Sequence, residues 1–150
     1  MKGAFTTEPG STLASIWQKG AGVSADNNGN IYAATGEGNT SDPNFFVPAS
    51  NLTTSLLKFN KFNQYGTSLA LTDWFTPWNY QYLAANDLDL SNGVLLLPDQ
   101  PGLFPYEAIT VGKESRIYVL KPGFKANSDQ RSRSHIGPRH SGSHPNGISR

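Results

Sequence analysis

Glu37, Asn39 and Asp42 in one turn-rich stretch, and Asp87 and Asp89 in another, are the side chains of this 150-residue sequence best suited to chemistry. Carboxylate and amide oxygens are hard ligands that suit calcium, an ion that gathers about six to eight oxygens. The same side chains also satisfy backbone donors in turns, and for Asn39, Asp87 and Asp89 both readings stand. Other chemistries are excluded by what is missing. There is no cysteine, so the chain offers no thiolate ligand, disulfide or cysteine nucleophile. All three histidines, His135, His140 and His144, follow residue 134, so the stretch before them cannot run a Ser-His-Asp mechanism. Their irregular spacing among serines argues for accidental composition over a metal tract. Trp74, Trp78 and Tyr80 could stack on a sugar, but wedging one sheet against another is the favoured reading of them. Asn39-Thr-Ser41 and Asn51-Leu-Thr53 both satisfy the glycosylation sequon.

The elements that must position these residues recur as a phrase. Val23–Thr35, Asp87–Leu97 and Ala108–Leu120 each set a short apolar run, a few turn residues, and a second run rich in Ile, Val, Leu and Tyr. That is how an antiparallel hairpin reads, and repetition of it makes a sheet protein. The pattern predicts turns at Asn27–Gly29, Ser91–Gly93 and Lys113–Ser115, with Asn28-Gly29 supplying the positive φ angles of a tight turn. Further strands are expected over 55–59 and 70–75, joined by a turn near Tyr65-Gly66, and a helical turn over Tyr80–Asn86. Ile31 and Ile117 occupy matching places 86 residues apart, about two periods of the ~40–50 residues that mark propeller blades. The expected fold is all-β, a partial β-propeller of about two to two and a half four-stranded antiparallel blades.

Composition supports this reading. Gly and Pro number 15 and 10, which fits many turns between short strands better than long helices. Charge divides the chain: residues 1–124 hold seven Lys/Arg against ten Asp/Glu, and residues 125–150 hold five against one. An acidic body gives no clustered positive surface for phosphates, so nucleic acid is not an expected partner. No apolar run reaches the ~20 residues of a membrane helix, and the first residues lack the apolar centre of a signal peptide. Residues 125–150 have no aromatic residue, three aliphatic residues and six serines. They are expected to form a disordered tail beyond a folded region spanning 1–124.

The phrases Gly20–Asn39 and Val111–Leu120 resemble the repeats of the PQQ-like β-propellers, the superfamily of quinoprotein alcohol dehydrogenases, and the resemblance covers roughly residues 5–121. In that family each repeat ends in a hairpin of the type V-G-x-x-D-G-x-I-Y-x-L-D. Here Glu114-Ser115 stand where Asp-Gly is usual and Lys121 where the second Asp is usual. The resemblance implies a calcium-ligating Asn just after a Thr-Gly-Asn-like phrase, matched by Thr35–Asn39 with Glu37 in place of the usual Asn and Asn39 as the candidate metal ligand. It also implies a catalytic base in a Trp-Asp-x-x-Gly-Val phrase, matched by Leu88–Val94, which keeps Asp89 as the candidate base and lacks the Trp.

A propeller scaffold hosts many functions. The leading expectation is a non-catalytic piece of a longer propeller that acts as a scaffold or binding module, with the missing blades as its partners and no cofactor of its own. One alternative is part of a PQQ- and calcium-dependent dehydrogenase oxidising alcohols or sugars. Another is a carbohydrate-binding propeller using Trp74, Trp78 and Tyr80. The resemblance further implies an extracytoplasmic protein, periplasmic or secreted.

Overall fold

Runs of β-branched, aromatic and leucine residues bounded by turns become seven strands in the computed structural model, which describes residues 4–9, 13–39, 51–60, 69–90 and 92–121. β1 (Ser24–Ala25), β2 (Ile31–Ala34), β3 (Leu56–Phe59) and β4 (Leu71–Phe75) form an antiparallel sheet in which each strand lies beside its neighbour in sequence. After the short helix α1 (Tyr80–Ala85), β5 (Leu95–Leu96), β6 (Ala108–Gly112) and β7 (Arg116–Leu120) form a second, three-stranded antiparallel sheet of the same up-and-down kind. Asp42, the Tyr65-Gly66 turn and the 125–150 tail lie outside the described residues.

The first hairpin is built around one carboxylate. Asp26 Oδ1 accepts from the backbone N–H groups of Asn28 (2.9 Å) and Asn30 (2.8 Å), while Oδ2 accepts from Asn30 Nδ2 (2.7 Å) and the Tyr32 hydroxyl (3.1 Å). Gly29 closes the turn at φ +79°, as expected of a residue without a Cβ. Burial alone would raise the Asp26 carboxyl, but these hydrogen bonds outweigh it and hold it below the usual carboxylate range. The β6–β7 turn also forms where expected, with the Ser115 N–H donating to Gly112 O at 3.1 Å. Ser115 sits at φ +63°, so a serine carries the left-handed conformation that glycine adopts without strain.

Period-two alternation assigns the faces. Ala34 pairs with Leu56, Ala33 with Leu57 and Tyr32 with Lys58. Tyr32, Ala34 and Leu56 face the second sheet and form a core with Leu90, Val94, Ala108 and Tyr118. Ala33, Leu57 and Phe59 form a second core on the opposite face with Leu52, where the Phe5 ring meets Phe59 edge-on at 5.0 Å. The first sheet is therefore covered on both faces. The second is covered on one: Ala108, Thr110 and Tyr118 are buried, while Leu95, Ile117 and Val119 point outward and are 60%, 66% and 53% exposed.

Ser91 lies outside the described residues, and on either side of it the hairpin expected about Ser91–Gly93 is not formed. Residues 87–90 carry no strand, and β5 takes its partner from β6 through Leu95↔Ile109 and Leu96↔Ala108. The reason lies at the end of α1. Leu88 N–H donates to Leu83 O at 2.8 Å and Asp87 N–H to Ala84 O at 3.4 Å, with Asp87 at φ +53°. This is the left-handed helix stop usually made with glycine, and it turns the chain away from an extended path.

Two stability measurements check these turns. Ser115→Gly should stabilise the protein by about 1 kcal/mol by relieving the left-handed serine. Asp26→Ala should destabilise it by about 1–3 kcal/mol at neutral pH, since donors would lose their acceptor. The folded carboxyl titrates below its ordinary value of 3.8. Its contribution is therefore present above that value and lost as pH falls through the lower folded one, so wild type and Asp26→Ala should converge in acid. Urea melts across pH check both, and a constant gap between the two proteins would contradict the Asp26 assignment.

Candidate functional site

Leu90 is drawn into the core between the sheets, and its neighbour Asp89 goes with it, to 1% exposure. A carboxylate so buried needs partners. One comes from the β6–β7 turn: Lys113 Nζ lies 3.4 Å from Asp89 Oδ2 and also bonds Asp87 Oδ1. The backbone repeats the attachment, with Lys113 N–H donating to Asp89 O at 3.1 Å. A second partner arrives from the stretch after β2. Glu37, Asp87 and Asp89 each place a carboxylate oxygen within 4.8 Å of the other two.

The charges settle into a consistent pattern. The hydrogen bond between Glu37 and Asp89, followed by burial and the two neighbouring aspartates, raises the Glu37 carboxyl above the usual range. A raised carboxyl holds its proton to higher pH than a free glutamate does, and while it is held Glu37 can donate it to Asp89. Burial alone would lower the Lys113 ammonium, but the hydrogen bonds and charges of Asp87 and Asp89 more than offset this and raise it. Close approach of the backbone adds an aromatic wall. A Cβ placed on Gly36 would stand 2.9 Å from Trp17 Cδ1 and 3.3 Å from Asp89 Oδ2, so the absence of a side chain lets the indole lie close to the carboxylates. Trp17 is 63% exposed.

Of the two sequence candidates, Asp89 is in this cluster and Asn39 is held elsewhere through its backbone. Asn39 N–H donates to Glu8 Oε1 at 3.3 Å, on a buried carboxylate that also accepts from Ala14 N–H (3.3 Å) and Asn51 Nδ2 (2.9 Å). The Asn51 sequon is accordingly closed to modification in the folded chain, because its side-chain nitrogen is committed and the residue is 3% exposed. Trp74 packs on the core of the first sheet while Trp78 is 71% exposed, so the two tryptophans stand in different environments. Glu37, Lys113 and Glu8 were not singled out together by sequence. Lys113 could have been: a lysine opening a turn beside an acidic phrase is a signal for an ion pair. No protein-family model, curated protein sequence or solved structure matches the chain.

Chemically, the arrangement offers three carboxyl groups and one ammonium. Glu37→Gln keeps a donor to Asp89 at every pH and carries no charge, so it should be the more stable protein once pH exceeds the folded Glu37 carboxyl. The folded Glu37 carboxyl lies above its ordinary value of 4.5, so its contribution is present below that value and lost as pH rises through the folded one. The advantage of Glu37→Gln should therefore vanish in acid. Paired chemical melts from acid to alkaline pH measure it, and a Glu37→Gln protein that gains nothing over wild type at the alkaline end would count against this arrangement of carboxyls.

Proposed function

We propose that this chain is a non-catalytic segment of a PQQ-like β-propeller, serving as scaffold, and that Glu37, Asp87, Asp89 and Lys113 form an internal clasp within it. The observation that carries the reading is the Lys113 ammonium, which already occupies the cationic place among the carboxylates through Asp87 Oδ1 and Asp89 Oδ2. The fold is compatible with it. Two antiparallel up-and-down sheets stack face to face, their shortest strands β1 and β5 touch, and the Ser24 hydroxyl on β1 donates to Val94 O beside β5. Blades of a propeller stack in this manner around an axis lined by one edge strand of each sheet. The outward face bearing Leu95, Ile117 and Val119 would then receive the next blade, supplied by a longer protein. An extracytoplasmic location belongs to the same reading and rests on the resemblance alone.

A second reading is a PQQ- and calcium-dependent dehydrogenase with Asp89 as base. What favours it is the convergence of Asp89 with Glu37 and Asp87 beside the exposed Trp17 indole. The arrangement does not fit the ion as it stands. Calcium wants about six to eight oxygens, whereas here an ammonium holds two of the three carboxylates and the described Asn39 contact is to Glu8. The ion would have to displace Lys113.

Calorimetric titration of calcium, with and without added quinone, separates the two. The scaffold reading expects no submicromolar binding in the wild type and no dye-linked alcohol oxidation. It also expects Lys113→Met to lower stability by about 3 kcal/mol, by leaving a buried carboxylate uncompensated. Submicromolar calcium binding that disappears in Asp89→Ala or Asn39→Ala would replace it with the dehydrogenase reading.

A further inference from the structure

The carboxylate cluster lies at one end of the sheets, and a separate concavity lies at the other. β2 runs from the Asn27–Gly29 turn toward Glu37, while β5 runs from the Asp89 side toward residues 97–107. The first turn and the β5–β6 connection consequently meet at the end away from the clasp. Between them is a cavity of about 320 Å³. That is the lower part of the range for small-ligand sites, about 300–1,000 Å³, and it suits a ligand the size of a single ring.

Its lining combines apolar surface with both signs of polarity. Leu96 and Pro98 contribute apolar walls. Lys58, Asn27 and Asn28 bring N–H donors, Asp99 and Glu107 bring carboxylate acceptors, and Tyr106 brings a ring that is 54% exposed. Part of the site is rigid before any ligand arrives. The hydrogen bonds into Asp26 fix the backbone that carries Asn28 and Asn30, and Tyr32 is tied to the same carboxylate. Lys58 is unusual for its place. It sits within β3 between Tyr32 and Asp73 in register, with its ammonium 5.6 Å from the centre of the Tyr32 ring, and it takes part in none of the ion pairs found among the described residues.

We propose that this cavity binds a neutral polyhydroxyl ring, a pyranose sugar. A hydroxyl both donates and accepts, so vicinal hydroxyls can satisfy the Lys58 and asparagine donors together with the Asp99 and Glu107 acceptors. The C–H face of such a ring suits the Tyr106 side chain. An anionic ligand would meet the carboxylates of Asp26, Asp99 and Glu107 with only Lys58 to oppose them. A purely apolar ligand would desolvate these polar groups without pairing them. The site is independent of the clasp and does not use Trp74, Trp78 or Tyr80.

The test is amide-detected NMR of the full chain titrated with the methyl glycosides of glucose, galactose and mannose. At least one should shift resonances of residues 26–30 and 97–107, with a dissociation constant of about 1 mM. Tyr106→Ala and Lys58→Met should each weaken that binding about tenfold. Asp99→Asn, which keeps an acceptor oxygen, should retain it, and Trp78→Ala should leave it unchanged. Tyr106 and Asp99 are exposed, so their variants decide the matter even if Lys58→Met loses the dispersed spectrum of a folded chain. Absence of shifts with every glycoside at tens of millimolar would overturn the proposal. So would binding of glycine or glutamate that Asp99→Asn abolishes, which would mark a site for a zwitterion.

Discussion

The structure depends on one apolar seam, where Tyr32, Ala34 and Leu56 of the first sheet meet Leu90, Val94, Ala108 and Tyr118. Strands of two to five residues have little independent stability, and an isolated hairpin is marginal in water. Fully burying a leucine such as Leu56 or Leu90 contributes about 2–3 kcal/mol, so a handful of residues at the seam outweighs what either ladder supplies alone. The ring contact between Phe75 and Tyr118, with centroids 5.5 Å apart, extends the seam toward the outer strands. The polar cluster follows from this packing. Seating Leu90 carries Asp89 below the surface, and a buried carboxylate must then find a proton or a cation. Lys113 supplies the cation, and Glu37 adds a donor at pH values where its raised carboxyl keeps the proton.

The two sheets share this seam but differ in their remaining faces. In the first, β3 alternates Leu56 and Leu57 into opposite cores, which is why its sequence reads as a nearly continuous apolar run. In the second, β7 alternates buried Tyr118 with exposed Ile117 and Val119, a pattern that ordinarily places polar residues outward. On this three-stranded sheet, with β7 at its edge, the outward face is apolar and nothing among the described residues covers it. That asymmetry is the physical content of reading the chain as part of a larger stacked array.

Locally encoded features were legible in the sequence. Gly29 announced its turn, although Asn28 does not share the positive φ expected of it, and the runs at 55–59 and 70–75 announced β3 and β4, because turn chemistry and period-two alternation act over a few residues. Antiparallel sheet architecture followed from them. The site was half legible. Asp89 stood out in its phrase, but its partnership with Glu37, 52 residues earlier, exists only once the sheets have stacked. The stop after α1 was missed because Asp87 adopts the left-handed conformation in place of the glycine that would have signalled it. Asn51 misled for a related reason: its sequon is polar in composition, yet Glu8 draws it inside. A buried carboxylate accepting N–H groups from Ala14, Asn39 and Asn51, 6, 31 and 43 residues away, leaves no periodic trace.

Stability alone does not account for the clasp, since replacing a buried ion pair with well-packed apolar residues is often neutral or stabilising. What the Lys113–Asp89 pair does supply is position. The lysine is held twice, through its backbone N–H to Asp89 O and through its ammonium to Asp87 and Asp89. This joins the β6–β7 turn to the segment leaving α1. A shift of that segment by one residue would move Asp89 out of reach of Lys113 and expose Leu90, so the charge pair and the apolar seam select the same register. The cost of an error is an unpaired buried carboxylate, which penalises misplacement more sharply than non-directional apolar contact can. The cluster thus gives the interface a definite alignment, and this role requires neither a bound ion nor a substrate.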